Sequence, residues 1–214
     1  MTAKVLSAAE VEALDARWSA FWTPSEVARR LAGTTMPWYV AGGWALDLFV
    51  GRPTREHGDI EIAIPAASFG EIRDRLPGYV FDAVDDGRIW ENATHEELAA
   101  TWQTWLRDPA TDRYLLDVFR EAHDGDTWIC RRDETIRLPY RDVIRFDADG
   151  IPYLAPELVL LFKAKNMRAK DQADFDGVRP QLTARQRKRM AALLTRVHPR
   201  HPWLAALEQG TEDS

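Results

Sequence analysis

A short segment, residues 39–65, combines residue types that could carry out chemistry (YVAGGWALDLFVGRPTREHGDIEIAIP). Asp59 and Glu61 lie two residues apart in an alternating apolar run, so a strand would project both side chains from one face. Two carboxylates side by side repel each other and are costly to bury unless a cation lies between them. Gly42 and Gly43 allow a sharp turn into the next helix, whose free N–H groups can bind phosphate. Metal-binding acids beside a phosphate site indicate phosphoryl or nucleotidyl transfer.

A third acid, Asp117, lies in a second apolar run, RYLLDVFR. Strand alternation places Leu115, Asp117 and Phe119 on one face, and an acid among such neighbours needs a cation, a hydrogen-bond donor or a catalytic task. A third carboxylate can bind a metal and take the proton from an attacking hydroxyl. The alternative is a strand-end acid that forms a salt bridge with Arg113 or Arg120.

Helices and strands that alternate along the chain must position these residues. Thr23 is predicted to begin a helix, because Pro24 suits a first helical position and Glu26 completes a capping box. Strands are predicted at residues 37–41, 59–64, 113–121 and 127–134, with a hairpin at 79–92 and a further short strand within 136–146. Helices are predicted at residues 7–21, from 23 onward, at 44–50, 66–75 and 95–107, and after a turn at 147–150.

This order of elements predicts an α+β protein in two parts. Residues 1–148 are expected to form a mixed sheet flanked by helices, which carries the catalytic residues. Residues 149–214 are expected to form a small helical C-terminal domain, and the tail at 210–214 is expected to fray.

Size and composition exclude several classes of protein. The chain has 214 residues, 45% of them hydrophobic, including nine Trp, which is typical of a packed globular protein. No apolar run approaches the roughly 20 residues of a membrane span, and the first residues do not form a signal sequence. The single cysteine, Cys130, is expected to be a buried strand residue and suits a reducing cytoplasm. The net charge of −6 disfavours nucleic acid as a partner. A monomer or a homodimer is expected.

Two separated motifs resemble those of a known family. The string GGWALD-x3-G-x2-TREH-x-D-I-E-I is similar to the aminoglycoside and lincosamide nucleotidyltransferases, in the aminoglycoside-2''-adenylyltransferase-like branch of the polymerase-β-like nucleotidyltransferase superfamily. The downstream string PYLAPELVLLFKAKNMRAKDQADF resembles the helical part of the same family. Trp44 follows the glycines as in the antibiotic branch, whereas Glu61 replaces the Asp of the better-known relatives.

The resemblance implies a polymerase-β-like fold and transfer of a nucleoside monophosphate from a Mg²⁺-bound NTP, expected to be ATP, to a hydroxyl of a small molecule. An aminoglycoside or a lincosamide antibiotic is the implied acceptor. The implied catalytic and metal-binding residues are Asp59, Glu61 and Asp117, with Asp117 as general base. The implied nucleotide-binding residues are Gly42, Gly43, the amide of Trp44, Arg55, Lys163 and Lys165.

Other polar and aromatic residues have plainer interpretations. Lys163 and Lys165 are as consistent with a solvated helix face as with phosphate binding. Lys170, Asp171 and Asp174 are expected to form a capping or interdomain network, and His57 to be a hydrogen-bonded support. The cluster RKRM at 187–190 is expected to be a solvated helix face, and four tryptophans are expected to be core residues: Trp38, Trp44, Trp102 and Trp105.

Two further functions remain compatible with the sequence. One is a nucleotidyltransferase toxin that modifies a protein or tRNA. The other is a descendant of the fold that binds nucleotide or another ligand without turnover, for which the substitution of Glu61 is the argument.

Overall fold

The protein is described by a computed structural model that covers residues 4–5 and 7–208. The predicted frayed tail at 210–214 lies outside the described residues. Nine strands form one mixed sheet in the order β1-β5-β4-β6-β7-β3-β2-β12-β11, and three form a small antiparallel sheet in the order β10-β9-β8. The strands are β1 Lys4–Val5, β2 Tyr39–Val40, β3 Glu61–Pro65, β4 Val80–Asp85, β5 Arg88–Trp90, β6 Gln103–Asp108, β7 Arg113–Glu121, β8 His123–Asp124, β9 Thr127–Ile129, β10 Arg137–Pro139, β11 Ile144–Phe146 and β12 Pro152–Leu154.

Ten α-helices pack around the two sheets in the described part of the chain. Ser7, Thr23, Thr94 and Thr183 begin helices with complete capping boxes, so local sequence defines those starts. The helices are α1 Ala8–Asp15, α2 Pro24–Arg30, α3 Gly42–Val50, α4 Phe69–Arg75, α5 His95–Ala100, α6 Tyr140–Val143, α7 Pro156–Lys163, α8 Ala169–Val178, α9 Ala184–Val197 and α10 Trp203–Glu208. None of these helices is long and apolar enough to cross a membrane.

Strand alternation in the centre of the sheet separates two apolar clusters. Ile62 and Ile64 belong to one cluster, together with side chains of α2 and α4. Ala63, between them, belongs to the other cluster, which includes side chains of α3 and α7 to α10. Both faces of β3 are therefore covered. Glu61, its first residue, is the one polar residue of this five-residue strand.

The segment at 95–107 was predicted as helix, and this was wrong beyond Ala100. Gln103–Asp108 forms β6, which pairs antiparallel with β4 and β7. Thr104 and Leu106 are buried and alternate with half-buried neighbours, so the period is two. The spacing of Leu98, Trp102 and Trp105 suggested a helix by coincidence, because only Leu98 lies in one.

The sheet extends beyond residue 148, into the segment predicted to be helical. Pro152–Leu154 forms β12, which pairs parallel with β2 and antiparallel with β11. The division into domains at residue 148 stays a prediction, and the sheet itself continues to Leu154.

The packing corrects part of three predictions about individual residues. Trp102 is 39% exposed and therefore is not a core residue. In the RKRM cluster, Met190 is fully buried, and Arg189 forms a salt bridge of 2.9 Å with the buried Glu157. Cys130 is buried as expected, but it follows β9 instead of lying within a strand.

Candidate active site

Glu61 and Asp117 face each other on neighbouring strands. They are directly paired in the register of the parallel strands β3 and β7, so the sheet brings together two acids that lie 56 residues apart in sequence. Asp117 is 4% exposed, whereas Glu61 is half-buried. Burial, with the charge of Asp59, raises the pKa of Glu61 to about 7. Burial, with the charge of Glu61, raises the pKa of Asp117 well above its usual range.

One oxygen of Asp117 lacks a hydrogen-bond partner among the described atoms. Oδ2 accepts a hydrogen bond of 2.6 Å from Nε2 of Gln103, while Oδ1 is buried without a partner. A buried acceptor without a donor is costly, and binding a cation or a hydroxyl would remove that cost. Asp117 therefore costs the fold stability, which makes it a good candidate for a catalytic or metal-binding residue.

Asp59 lies outside the strand, contrary to the predicted strand at 59–64. β3 begins at Glu61, and Asp59 is exposed in the preceding segment. Its backbone carbonyl accepts a hydrogen bond of 2.9 Å from the indole Nε1 of Trp44, which fixes the chain at this point. The alternation argument therefore does not define the direction of the Asp59 side chain.

The acids suit a divalent cation, although they do not form a closed ligand set. Among residues 4–5 and 7–208, no group of three or more His, Cys, Asp or Glu residues is arranged to hold a metal ion. The chemistry nevertheless fits. Glu61 and Asp117 repel each other, Asp117 has an unpartnered oxygen, and carboxylate oxygens are the ligands that Mg²⁺ prefers.

The two glycines place the start of α3 against Glu61. α3 begins at Gly42, two residues earlier than predicted, and Gly42 has a φ of +59°. A Cβ built on Gly42 would lie 2.9 Å from the Glu61 carboxyl carbon and closer still to one of its oxygens. A Cβ on Gly43 would lie 2.6 Å from the ring of His57. A larger residue at either position would displace these side chains, and the N–H groups at the helix start lack a side-chain cap from Ala41.

A buried hydrogen-bond network supports the glycine turn. Nε2 of His57 lies 2.6 Å from Oδ2 of Asp47, and the other oxygen of Asp47 accepts hydrogen bonds from the backbone N–H and hydroxyl of Thr54. The His57 ring stacks on Trp44 at a centroid distance of 4.4 Å. His57 is thus the hydrogen-bonded support expected from the sequence, and Trp44 is partly buried against both apolar clusters as well as stacked on His57.

Arg55 and Lys163 share an acid in the helical part of the protein. Nε of Arg55 lies 3.0 Å from Asp174, and Nζ of Lys163 lies 2.9 Å from Asp174 and 3.1 Å from Asp171. Asp171 also accepts the backbone N–H of Arg168 and so caps α8. The expected capping network at Asp171 and Asp174 is present, whereas Lys170 is exposed.

A cavity of about 430 Å³ opens beside Glu61 and Gly42. Its rim and walls carry several cations, three of which the sequence reasoning did not single out. Those three are Arg131, Arg132 and Arg168, and the other two are Lys163 and Lys165. They come from a loop after β9 and from α7 and the segment that follows it, so their common location depends on the tertiary fold.

Aromatic rings hold Arg131 at this cavity. Its guanidinium lies 4.5 Å from the ring centroid of Trp102, 4.8 Å from that of Phe119 and 4.7 Å from that of Phe162. Cation–π contacts of this kind keep the charge in place without neutralising it. On the cavity wall, the buried carboxylate of Glu121 accepts hydrogen bonds from Tyr39 and Trp128.

Comparison with known sequences identifies part of the chain. Residues 25–99 match the sequence model of the aminoglycoside-2''-adenylyltransferase family. A 2''-aminoglycoside nucleotidyltransferase of Escherichia coli is 35% identical over 78 residues, and one of Klebsiella pneumoniae matches to the same extent. Each match covers 35% of this chain and only 43% of the relative. The chain thus matches less than half the length of these curated relatives.

Comparison with solved structures covers most of the chain. The lincomycin-bound lincosamide antibiotic adenylyltransferase LnuA has a TM-score of 0.51 at 18% identity, over 72% of this chain and 92% of that one. The solution structure of the antibiotic-resistance factor ANT(2'')-Ia has a TM-score of 0.54 at 18% identity, over 86% and 92%. The chain therefore has the polymerase-β-like nucleotidyltransferase fold and, over residues 25–99, the sequence signature of the aminoglycoside-2''-adenylyltransferases, as the resemblance implied.

Proposed function

We propose that this chain is a metal-dependent nucleotidyltransferase that moves a nucleoside monophosphate from an NTP to a hydroxyl of a small molecule. One observation carries the proposal. The carboxylate of Glu61 lies directly beside the start of α3, at the edge of a cavity with five basic residues, and Asp117 pairs with Glu61 on the neighbouring strand. Carboxylates close to helix-start amides and basic side chains are what a metal-bound triphosphate requires.

The acids have separate tasks in this proposal. Asp59, Glu61 and Asp117 would hold a divalent cation, proposed to be Mg²⁺, which when bound neutralises phosphate oxygens. Asp117 is also the proposed general base, because its Oδ1 has no hydrogen-bond partner among the described residues and can accept the proton of the acceptor hydroxyl. The acceptor oxygen attacks the α-phosphorus, and pyrophosphate leaves.

The remaining residues bind and orient the nucleotide. The amides of Gly42, Gly43 and Trp44 are proposed to hold the triphosphate at the start of α3. Lys163 and Lys165 line the cavity and are proposed to contact phosphate oxygens. Arg55 would act from behind the glycines, since it lies against Gly43 and is paired to Asp174.

The acceptor is proposed from the names of the relatives. LnuA is described as a lincosamide antibiotic adenylyltransferase, and ANT(2'')-Ia was solved in complex with adenylyl-2''-tobramycin. An aminoglycoside or lincosamide acceptor and ATP as donor are therefore the first choices for this chain. A cytoplasmic monomer or homodimer that works without nucleic acid completes the proposal.

Nucleotide titration tests the donor side of the proposal. ATP, GTP, CTP and UTP are titrated calorimetrically into the protein with Mg²⁺, and again with EDTA. Metal-dependent binding of at least one NTP is expected. If no NTP binds in a metal-dependent way, the nucleotidyltransferase proposal is wrong.

Pyrophosphate release then identifies the acceptor. The assay is run with kanamycin-type aminoglycosides, with lincosamides and with tRNA. Release that depends on an antibiotic supports the proposal, and release that depends on tRNA supports a macromolecular target instead.

A second function, nucleotide binding without turnover, is favoured by one observation. Glu61 occupies the place of an Asp, and Asp59 is exposed outside β3, so the acids do not form a closed set. Metal-dependent NTP binding without pyrophosphate release for any acceptor would support this function.

A further inference from the structure

We propose that Asp174 and Asp171, on α8, are positioning residues that direct the ammonium group of Lys163 at the phosphate site. This inference rests on the proposed function, because it assigns a task to two acids that would not touch the substrate. It goes beyond the expectation that these acids merely cap or join parts of the fold.

The contacts around Lys163 are short and enclosed. Its Nζ lies 2.9 Å from Oδ2 of Asp174 and 3.1 Å from Oδ1 of Asp171. The side chain of Lys163 is 10% exposed, and those of the two acids are 4% and 1% exposed. A lysine held this way loses the rotamer freedom that makes surface lysines poor ligands.

The three N–H groups of Lys163 determine which donor is left for the cavity. An ammonium group has three N–H donors in a fixed tetrahedral arrangement. Asp171 and Asp174 use two of them, and the third remains for the cavity, which Lys163 lines together with Gly42 and Glu61. Both acids would therefore orient the donor as well as attract it.

Asp174 also connects the lysine to the glycine turn. Its carboxylate accepts hydrogen bonds from Nε of Arg55 at 3.0 Å and from Nη2 at 3.3 Å. The same guanidinium lies so close to Gly43 that a Cβ on that glycine would collide with it. A single buried carboxylate thus joins two cations that lie 108 residues apart in sequence and flank the same phosphate site. Although burial opposes ionisation, the hydrogen bonds from Arg55 and Lys163 keep the pKa of Asp174 below its usual range.

A merely structural role makes a different prediction from a positioning role. A network that only holds the helices together would affect unfolding, and nucleotide affinity would follow stability. A positioning role affects nucleotide affinity mainly through Lys163, so most of the effect disappears when the lysine is absent and only the part that acts through Arg55 remains.

A double-mutant cycle separates the two roles. Asp174→Asn, Lys163→Ala and the double variant are compared with wild type in Mg-ATP titrations, and chemical denaturation is measured for each. Asp176→Asn is the matched control, because Asp176 lies on the same helix and is exposed, with Gln172 as its partner. The same cycle with Asp171→Asn gives an independent answer if Asp174→Asn does not fold.

We expect the Kd for Mg-ATP to rise about tenfold in Asp174→Asn, as for loss of one charged hydrogen bond. In the Lys163→Ala background the same substitution is expected to change the Kd by less than about threefold, which is the mark of coupled residues. Asp176→Asn should bind as wild type does.

Two results would overturn the inference and leave the proposed function standing. One is an unchanged Kd in Asp174→Asn together with reduced stability. The other is a full, additive effect in the Lys163→Ala background. If wild type itself fails to bind Mg-ATP, the proposed function falls, and the inference that rests on it falls as well.

Discussion

The substitution Gly42→Ala tests whether the start of α3 and Glu61 form one site. A Cβ at this position would lie 2.9 Å from the Glu61 carboxyl carbon, where ordinary contacts begin at 3.4 Å. Because one carboxyl oxygen is closer still, the carboxylate has to recede by more than about an ångström to restore van der Waals separation. The clash meets the end of a flexible side chain, so we expect the protein to fold while Glu61 changes position.

The expected magnitude has two separate parts. A φ of +59° costs an alanine about 1–2 kcal/mol of folding free energy relative to glycine. A displacement of about an ångström at a reacting centre reduces turnover by roughly 100-fold. The second loss corresponds to about 2.7 kcal/mol of activation free energy and is specific to Gly42.

Gly51→Ala is the matched control at the other end of the same helix. Gly51 has a φ of +79°, and a Cβ there would meet no atom of residues 4–5 and 7–208 within 4 Å. Both variants therefore have the backbone cost, and only Gly42→Ala displaces Glu61. Chemical denaturation measures the first effect, and pyrophosphate release with the best acceptor measures the second.

The stability and the activity of Gly42→Ala are compared with those of Gly51→Ala to test whether Glu61 belongs to the active site. Similar denaturation midpoints with an activity loss confined to Gly42→Ala would support the site. Equal activities in the two variants would refute the placement of Glu61 at the reacting phosphates.

Three further predictions concern the buried acids. Asp117→Asn should reduce turnover by about 100-fold or more, as for loss of a general base. It should also raise the melting temperature at pH 7, because a buried carboxyl with a raised pKa opposes folding when ionised. A variant that keeps its activity or is less stable would contradict this. In metal-free protein, stability should fall as the pH rises from about 4.5 to about 7, because the folded state binds the Glu61 proton more tightly than the unfolded state does. Glu61→Gln should reduce that slope in denaturation curves, and an unchanged slope would show that Glu61 does not titrate there. Tyr39→Phe removes a hydrogen bond to the buried Glu121 and should cost about 1–3 kcal/mol, whereas Tyr140→Phe, whose buried hydroxyl has no described partner, should cost nothing measurable.

Local signals in the sequence account for much of the fold. The capping box at Thr23 predicted the start of α2, and the alternation of RYLLDVFRE predicted β7 with its buried Asp117. The glycine pair predicted the turn into α3, because a positive φ and close contacts leave little choice of residue. Residues close in sequence determine each of these features, so the local sequence pattern predicts them.

Features that depend on distant neighbours could not be predicted in the same way. β6 was interpreted as helix because Leu98, Trp102 and Trp105 have helical spacing, and only the pairing with β4 and β7 shows that the segment is a strand. β12 is three residues long and is defined by the strands beside it. Arg131 and Arg168 reach the cavity from separate loops, and no local pattern distinguishes them from surface arginines. The spacing of Asp59 and Glu61 indicated a cation between them, and the family resemblance implied the same role, but the pattern was wrong in placing Asp59 within the strand.

The central claim is that Asp59, just before β3, and Glu61, at its start, bind the metal ion of a metal-bound nucleoside triphosphate. Its most direct test is calorimetric titration of ATP with Mg²⁺ into wild type and into Asp59→Ala, with folding checked by circular dichroism. Wild type should bind ATP only when Mg²⁺ is present, and folded Asp59→Ala should lose that metal-dependent binding along with pyrophosphate release. Equal Mg-ATP binding and turnover in the two proteins would contradict the account.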